Sequence, residues 1–283
     1  MKILVIGDFH GKFPNKFLRI IKKESIDVII SPGDFSSMEK IRKFIFKYWT
    51  SKKWWEVVGL KRAKQIEKEA FDSGLKLLKK LNSLDKKVYV IWGNSDFYKD
   101  LLSKEEKPIN PGYFEDKIKG FKNIILVDKK KTKIDGIDII GFGGYVDASE
   151  YIKNPIDKDI KKRKQRLKRY LRDAKRLNSL FLRAKPNKNF IFLIHFTPYK
   201  IFDKVKYKES PMYGKHVGWE PYNKAIKRFK PRLVICGHMH EYQGQKTLGK
   251  SIIVNPGPAY EGKAAVIEFD EKRGRVKKIK FIN

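Results

Sequence analysis

The chain has 283 residues, 41% of them hydrophobic and 13% aromatic, and carries 65 Lys and Arg against 32 Asp and Glu for a formal charge of +33. That apolar content excludes disorder as a global description. No apolar run approaches the roughly 20 residues of a membrane span, and the opening MKILVIGD is charged too early for a secretory signal, so a cytoplasmic protein without a membrane partner is expected. The charge excess implies a polyanionic partner such as RNA, DNA or a nucleotide, because released counterions favour binding to phosphate backbones. A merely basic surface is the plain alternative.

In chain order, KILVIG, a helical segment over residues 14–23 and DVIIS read as a β-α-β opening. Its strands are apolar on both sides, as a sheet covered by helices requires. Residues 38–84 read as a first helical insertion, in which Trp49, Trp54 and Trp55 are expected to be packing anchors. Further strands are predicted at Lys87–Trp92, Asn123–Val127 and Ile137–Gly141, and then at Asn189–His195, Arg232–Cys236, Ser251–Asn255 and Ala264–Asp270. A second helical insertion, residues 155–185, places Ile160, Leu167, Tyr170, Leu171, Ala174, Leu177 and Phe181 on one stripe predicted to be buried. Between Lys158 and Lys188 the chain carries 14 Lys and Arg against two Asp, which fits either a solvated basic face or a contact with RNA or DNA phosphates. The one cysteine, Cys236, lies in the apolar run LVIC and reads as a small buried thiol. Strands interleaved with helices indicate an α/β protein, and with no repeat or linker in sight residues 1–283 read as a single domain. The sequence carries no signal for an oligomeric state.

Five short motifs fall at the carboxyl ends of predicted strands: GDFHG at Gly7–Gly11, PGD at Pro32–Asp34, GNSD at Gly93–Asp96, His195 closing NFIFLIH, and GHMH at Gly237–His240. Ligands collect in the crevice beyond those strand ends, so residues far apart in sequence converge there. In an extended strand residues two apart point the same way, so Asp8 and His10 share a face while Phe9 turns into the core, and His238 and His240 do the same around Met239. Carboxylates, an amide oxygen and imidazoles suit borderline divalent metals rather than a thiolate site. Two such ions bring four positive charges, of which Asp8 and Asp34 cancel two, and the excess attracts a phosphate. Four of the five histidines fall in these motifs, a concentration that chance placement seldom gives.

The ordered set D-x-H, G-D, G-N-x-D, H and G-H-x-H resembles that of the calcineurin-like metallophosphoesterases, and it spans Asp8 to His240. The stretches HFTPY, YGKHVG, KPRLVICGHMHE and IIVNPGP look like the small phosphoesterases of archaea and bacteria in that superfamily. The resemblance implies a four-layer α/β/β/α sandwich with two mixed β-sheets and a pair of divalent ions, with manganese expected and iron, nickel or zinc as alternatives. It implies that Asp34 bridges the ions, with Asp8, His10 and His240 on one and Asn94, His195 and His238 on the other. Many members read G-N-H-[ED], and that histidine serves the leaving group. Here the position is Ser95, whose hydroxyl is a poor general acid at neutral pH.

His216, in YGKHVG, is the remaining histidine. It is expected to reach the phosphate or the leaving group, the alternative being a hydrogen-bonded loop residue. Asp96 is expected to fix a ligand or a backbone amide, against the alternative of an exposed loop aspartate; Asn255 and Tyr199 read as turn formers. The expected function is binuclear-metal-dependent hydrolysis of a phosphodiester, in a nucleotide or nucleic acid, with Asp34, Asn94, His195 and His216 as the catalytic set. The alternatives are a phosphomonoesterase and an inactive nucleic-acid-binding member of the fold.

Overall fold

The computed structural model of the chain describes residues 1–49, 53–100, 108–155, 157 and 159–283. Residues 50–52 of the first predicted insertion, and 156 and 158 of the second, therefore lie outside the described residues. One sheet runs, in spatial order, β12 (Arg275–Ile282), β11 (Ala264–Asp270), β1 (Lys2–Val5), β2 (Val28–Ser31), β3 (Lys87–Val90) and β4 (Ile124–Leu126). The other runs β5 (Lys131–Ile134), β6 (Ile137–Phe142), β7 (Ile191–Ile194), β8 (Leu233–Ile235), β10 (Ser251–Asn255) and β9 (Gly244–Leu248). Both are mixed: β1 to β4 pair in parallel, as do β6, β7, β8 and β10, while β11, β12, β5 and β9 pair antiparallel.

Side-chain alternation makes the layers. Ile3 and Val5 point between the sheets, where they share an apolar cluster with Ile139, Leu193 and Ile235. Leu4 and Ile6 point the other way, onto the side covered by α1 (Lys16–Lys23) and α4 (Leu60–Asn82). In the second sheet Ile140, Phe142, Phe192 and Ile194 face outward towards α7 (Ile160–Ala184) and α8 (Glu220–Phe229). The result is helix, sheet, sheet, helix, with each fully buried Ile, Leu or Val contributing about 1.5–3 kcal/mol.

The described residues correct the sequence reading in three places. First, α4 is no mere insertion: it is the crossover between the parallel strands β2 and β3, and Ala63, Ile66, Ala70, Leu77 and Leu81 on it are buried. The shorter α2 (Glu39–Lys47) and α3 (Trp54–Val58) precede it, while α5 (Phe114–Lys117) and α6 (Ser149–Lys153) follow. Trp54 is buried, and the Trp49 ring packs 6.4 Å from that of Tyr151, so packing does occupy these tryptophans.

Second, β5, β9 and β12 carry no apolar alternation that the sequence reading detected. All three are sheet edges, and runs such as RVKKIKFI keep lysines on them, a pattern that blunts edge-to-edge pairing.

Third, the α7 stripe is buried only in its C-terminal half, at Leu177 and Phe181, with Leu180 buried beside them, whereas Ile160 is 65%, Leu167 44% and Leu171 57% exposed. Ion pairs hold the N-terminal half instead. The buried Asp147 accepts from Arg166 at 3.0 Å and Arg169 at 2.9 Å, and the buried Asp157 from Arg166 at 2.5 Å. Among the described residues, no helix is long and apolar enough to cross a membrane.

Candidate metal centre

The strands end before the motifs do. β1 stops at Val5 and β8 at Ile235, so Asp8, His10, His238 and His240 lie on loops, and the strand-face argument for their spacing does not hold. The actual device is a run of left-handed residues: φ is 54° at Asp8, 46° at His10, 60° at Asp34 and 67° at His238. Asp, Asn and His tolerate this region better than other side chains, and holding a non-glycine residue there costs on the order of 1–3 kcal/mol. Phe9 is buried as expected.

Hydrogen bonds overcome that cost. Asp8 N–H donates to the Gly33 carbonyl at 2.9 Å, Phe9 and His10 N–H to that of Asp34 at 2.8 and 3.1 Å, and Gly11 N–H to that of Phe35 at 2.8 Å. Asp96, 1% exposed, accepts from the N–H groups of Gly93 at 2.7 Å, Asp34 at 2.9 Å, Phe35 at 2.7 Å and Ser36 at 3.3 Å. One carboxylate thereby joins the loops after β2 and β3. Gly93 is required beside it, since a Cβ there would lie 2.0 Å from Asp34 Oδ1.

Two backbone carbonyls then set histidine tautomers. His195 Nδ1–H donates to Pro32 O at 2.8 Å and His10 Nδ1–H to Ser36 O at 3.2 Å, which leaves both Nε2 lone pairs aimed into the crevice. His195 Nε2 meets Asn94 Oδ1 at 2.9 Å, and that oxygen lies 2.7 Å from His238 Nδ1. His10 Nε2 meets His240 Nε2 at 3.1 Å. Between the two groups sits Asp34, with Oδ2 3.7 Å from His10 Nε2 and Oδ1 3.6 Å from His195 Nε2. Asp8 Oδ1 lies 3.5 Å from His240 Nε2 and accepts from His238 N–H at 3.0 Å.

The ligand atoms of Asp8, His10, Asp34 and His240 all lie within 4.8 Å of one another, close enough to hold a metal ion. Asn94, His195 and His238 form the second group against Asp34. Burial lowers His10 to about 4 and His238 to about 3, so both rings are neutral at physiological pH and offer lone pairs. Burial raises Asp34, but the neighbouring His195 and His10 outweigh it and hold the carboxyl below the ordinary range. The donor set therefore fits divalent cations: anionic oxygens, an amide oxygen and imidazole nitrogens converge in one crevice.

His216 lies outside this group. Its Nδ1–H donates to Asp203 at 2.7 Å and its ring meets the edge of Tyr199 at 5.8 Å. Ser95 enters through its backbone, donating N–H to Asp34 Oδ1 at 2.9 Å. Asn255 Oδ1 accepts from Gly257 N–H at 2.9 Å in a turn, and Tyr199 N–H donates to Asn223 at 2.8 Å. Sequence reasoning missed Phe196, whose ring stacks on His238 at 3.8 Å, and Tyr260, whose ring lies 5.7 Å from His10 and 5.5 Å from His240. Adjacency to His195 was the one available signal for Phe196. Nothing in the sequence pointed to Tyr260.

The family described as "Metallophosphoesterase, calcineurin superfamily" matches residues 1–279. An uncharacterized protein of Methanocaldococcus jannaschii is 24% identical over 287 aligned positions, which cover 97% of this chain and 98% of the relative. One crystal structure superposes with a TM-score of 0.68 at 20% identity, covering 100% of this chain and 98% of its own. TT1561 of Thermus thermophilus superposes with a TM-score of 0.53 at 16% identity, again covering 100% and 98%. Both carry the same fold.

Asp96→Asn leaves two of the four N–H groups facing an amide NH₂, and is expected to cost about 3 kcal/mol, measured as a urea midpoint. Acidification acts through the histidines. Their folded pKa values lie below the ordinary 6.5, so the unfolded chain binds protons that the folded one refuses. Stability of the metal-stripped protein is present above that value and falls as pH drops from about 6.5 towards 4. Asp96, pushed up to about 7 by burial and by Asp34, works in the opposite direction and offsets only part of the loss. A urea midpoint that rises between pH 7 and 4.5 contradicts this assignment.

Proposed function

Because the chain belongs to the calcineurin-superfamily metallophosphoesterases, we propose that it hydrolyses a phosphodiester, in a nucleotide or nucleic acid, with two divalent ions held in this crevice. The observation that supports the reading is the convergence of two groups of acceptor atoms on the two oxygens of Asp34. In it, Asp8, His10 and His240 would hold one ion and Asn94, His195 and His238 the other, with Asp34 shared between them. Manganese is the expected ion for the two carboxylates and the amide oxygen, with iron, nickel and zinc, which suit the four imidazoles, as alternatives. When bound, such a pair lowers the pKa of water towards about 7 and offsets the charge that develops on the phosphoryl group.

The chain's own groups do the rest. The Pro32 and Ser36 carbonyls orient two imidazoles, and the Ser95 amide orients the bridging carboxylate. With serine at position 95 the leaving-group proton falls to His216, whose Nδ1–H is fixed by Asp203 and whose side chain is 34% exposed. The +33 charge favours a polyanionic substrate and supports RNA or DNA as the larger partner.

With manganese, bis-p-nitrophenyl phosphate is expected to be cleaved faster than p-nitrophenyl phosphate. Faster monoester cleavage reverses the assignment, and no cleavage with any divalent metal favours an inactive binding protein. Asp34→Asn should lower kcat/KM by at least about 10²-fold, the scale of losing one charge-stabilising group. His216→Asn should slow esters with poor leaving groups by roughly 10²-fold or more while sparing p-nitrophenyl esters; wild-type rates on both remove His216 from the mechanism.

A further inference from the structure

Ten large hydrophobic side chains are at least about a third exposed among the described residues, and three of them are aromatic: Tyr145 at 38%, Tyr207 at 47% and Tyr213 at 53%. Two of the three are tied to the loops that carry His238 and His240. Tyr207 N–H donates to Glu241 Oε1 at 3.3 Å, and Lys206 N–H donates to the same oxygen at 3.2 Å. Glu241 directly follows His240 in sequence. The next residue, Tyr242, donates its hydroxyl to Lys204 O at 2.8 Å, so the 204–207 segment is fastened to the chain just past the metal ligands.

The Tyr207 ring is backed by Phe46 at 5.9 Å, and Phe46 by Trp49 at 6.3 Å. Trp49 packs on the apolar cluster that buries Met239, the residue between His238 and His240. Tyr145 is tied in through another ring: it meets Phe196 edge-on at 5.8 Å, and Phe196 stacks on His238 at 3.8 Å. Arg166 Nη1 donates to the Tyr145 hydroxyl at 3.4 Å.

Rings held in place by other rings and still partly exposed, as Tyr207 and Tyr145 are, are what a planar ligand needs. Stacking on such rings tolerates any base, and neighbouring basic side chains attract the phosphate. The exposed Lys206 supplies that charge beside Tyr207. One platform stands beside the His240 loop and one beside His238, and a phosphodiester is the ester with two arms. We propose that Tyr207 and Tyr145 each take one nucleobase of a substrate whose phosphodiester lies at the metal centre. The proposal rests on the phosphodiesterase reading and names its substrate class as a dinucleotide or single-stranded nucleic acid.

The test compares a dinucleoside monophosphate with the same diester lacking both bases, by KM and by calorimetric titration of the protein. Wild type should prefer the base-bearing diester by roughly tenfold or more per base. Tyr207→Ala and Tyr145→Ala should each lose about that factor, with Tyr→Phe at either position retaining it and the exposed Tyr213→Ala keeping the wild-type preference. Hydrolysis of both diesters with no preference between them overturns the platforms and leaves the phosphodiesterase reading intact. A preference unmoved by either alanine, or lost equally in Tyr213→Ala, also overturns them. If neither diester is cleaved but the titration shows a preference that the alanine variants lose, the platforms stand and the hydrolytic reading falls.

Discussion

Polar atoms withdrawn from water need partners, and this crevice presses several of them together: His195 Nε2 lies 2.9 Å from Asn94 Oδ1, beside a buried carboxylate whose two oxygens face histidine nitrogens on either side. Left alone, side chains in that arrangement would turn outward to water. The surrounding structure prevents it by fixing the backbone first. Four ligand residues sit in left-handed conformations that only a dense set of backbone bonds sustains. The Asp96 carboxylate gathers four N–H groups so that the loops after β2 and β3 have one relative position.

The fold makes this possible because it delivers loops, not strands, to the crevice. Parallel strands end at the same side of a sheet, and their carboxyl ends release Asp8, Asp34 and Asn94 from one sheet and His195 and His238 from the other. Contacts across the two sheets then complete the geometry: His195 Nδ1–H reaches the Pro32 carbonyl, and His238 N–H reaches the Asp8 carboxylate. Each of these uses a main-chain group on one partner, so the positions of the imidazoles follow the backbone closely.

Much of this was legible in the sequence, for a physical reason. Buried parallel strands need continuous apolar runs, so KILVIG, DVIIS and NFIFLIH declared themselves, and rare histidines beside glycines marked the crevice. The edge strands β5, β9 and β12 did not, because lysines placed to discourage pairing also erase the alternation that identifies a strand. The N-terminal half of α7 was misread because helical spacing tells which residues share a face and not whether anything covers it: Leu167 and Leu171 share that face in water, while buried aspartates hold the helix through Arg166 and Arg169. The left-handed ligands were invisible for a similar reason, since spacing alone cannot separate an extended strand from a loop that reverses on itself. Tyr145, Tyr207 and Tyr260 depend wholly on long-range assembly.

The division of the ligands between the sheets has a mechanical meaning. Asp8, His10 and Asp34 hang from one half of the sandwich and His240 from the other, so a cation held among them would act as a clasp across the seam. Prying the halves apart then requires breaking coordination bonds as well as exposing the inter-sheet core, and occupancy of the crevice becomes linked to the cooperativity with which the whole sandwich folds.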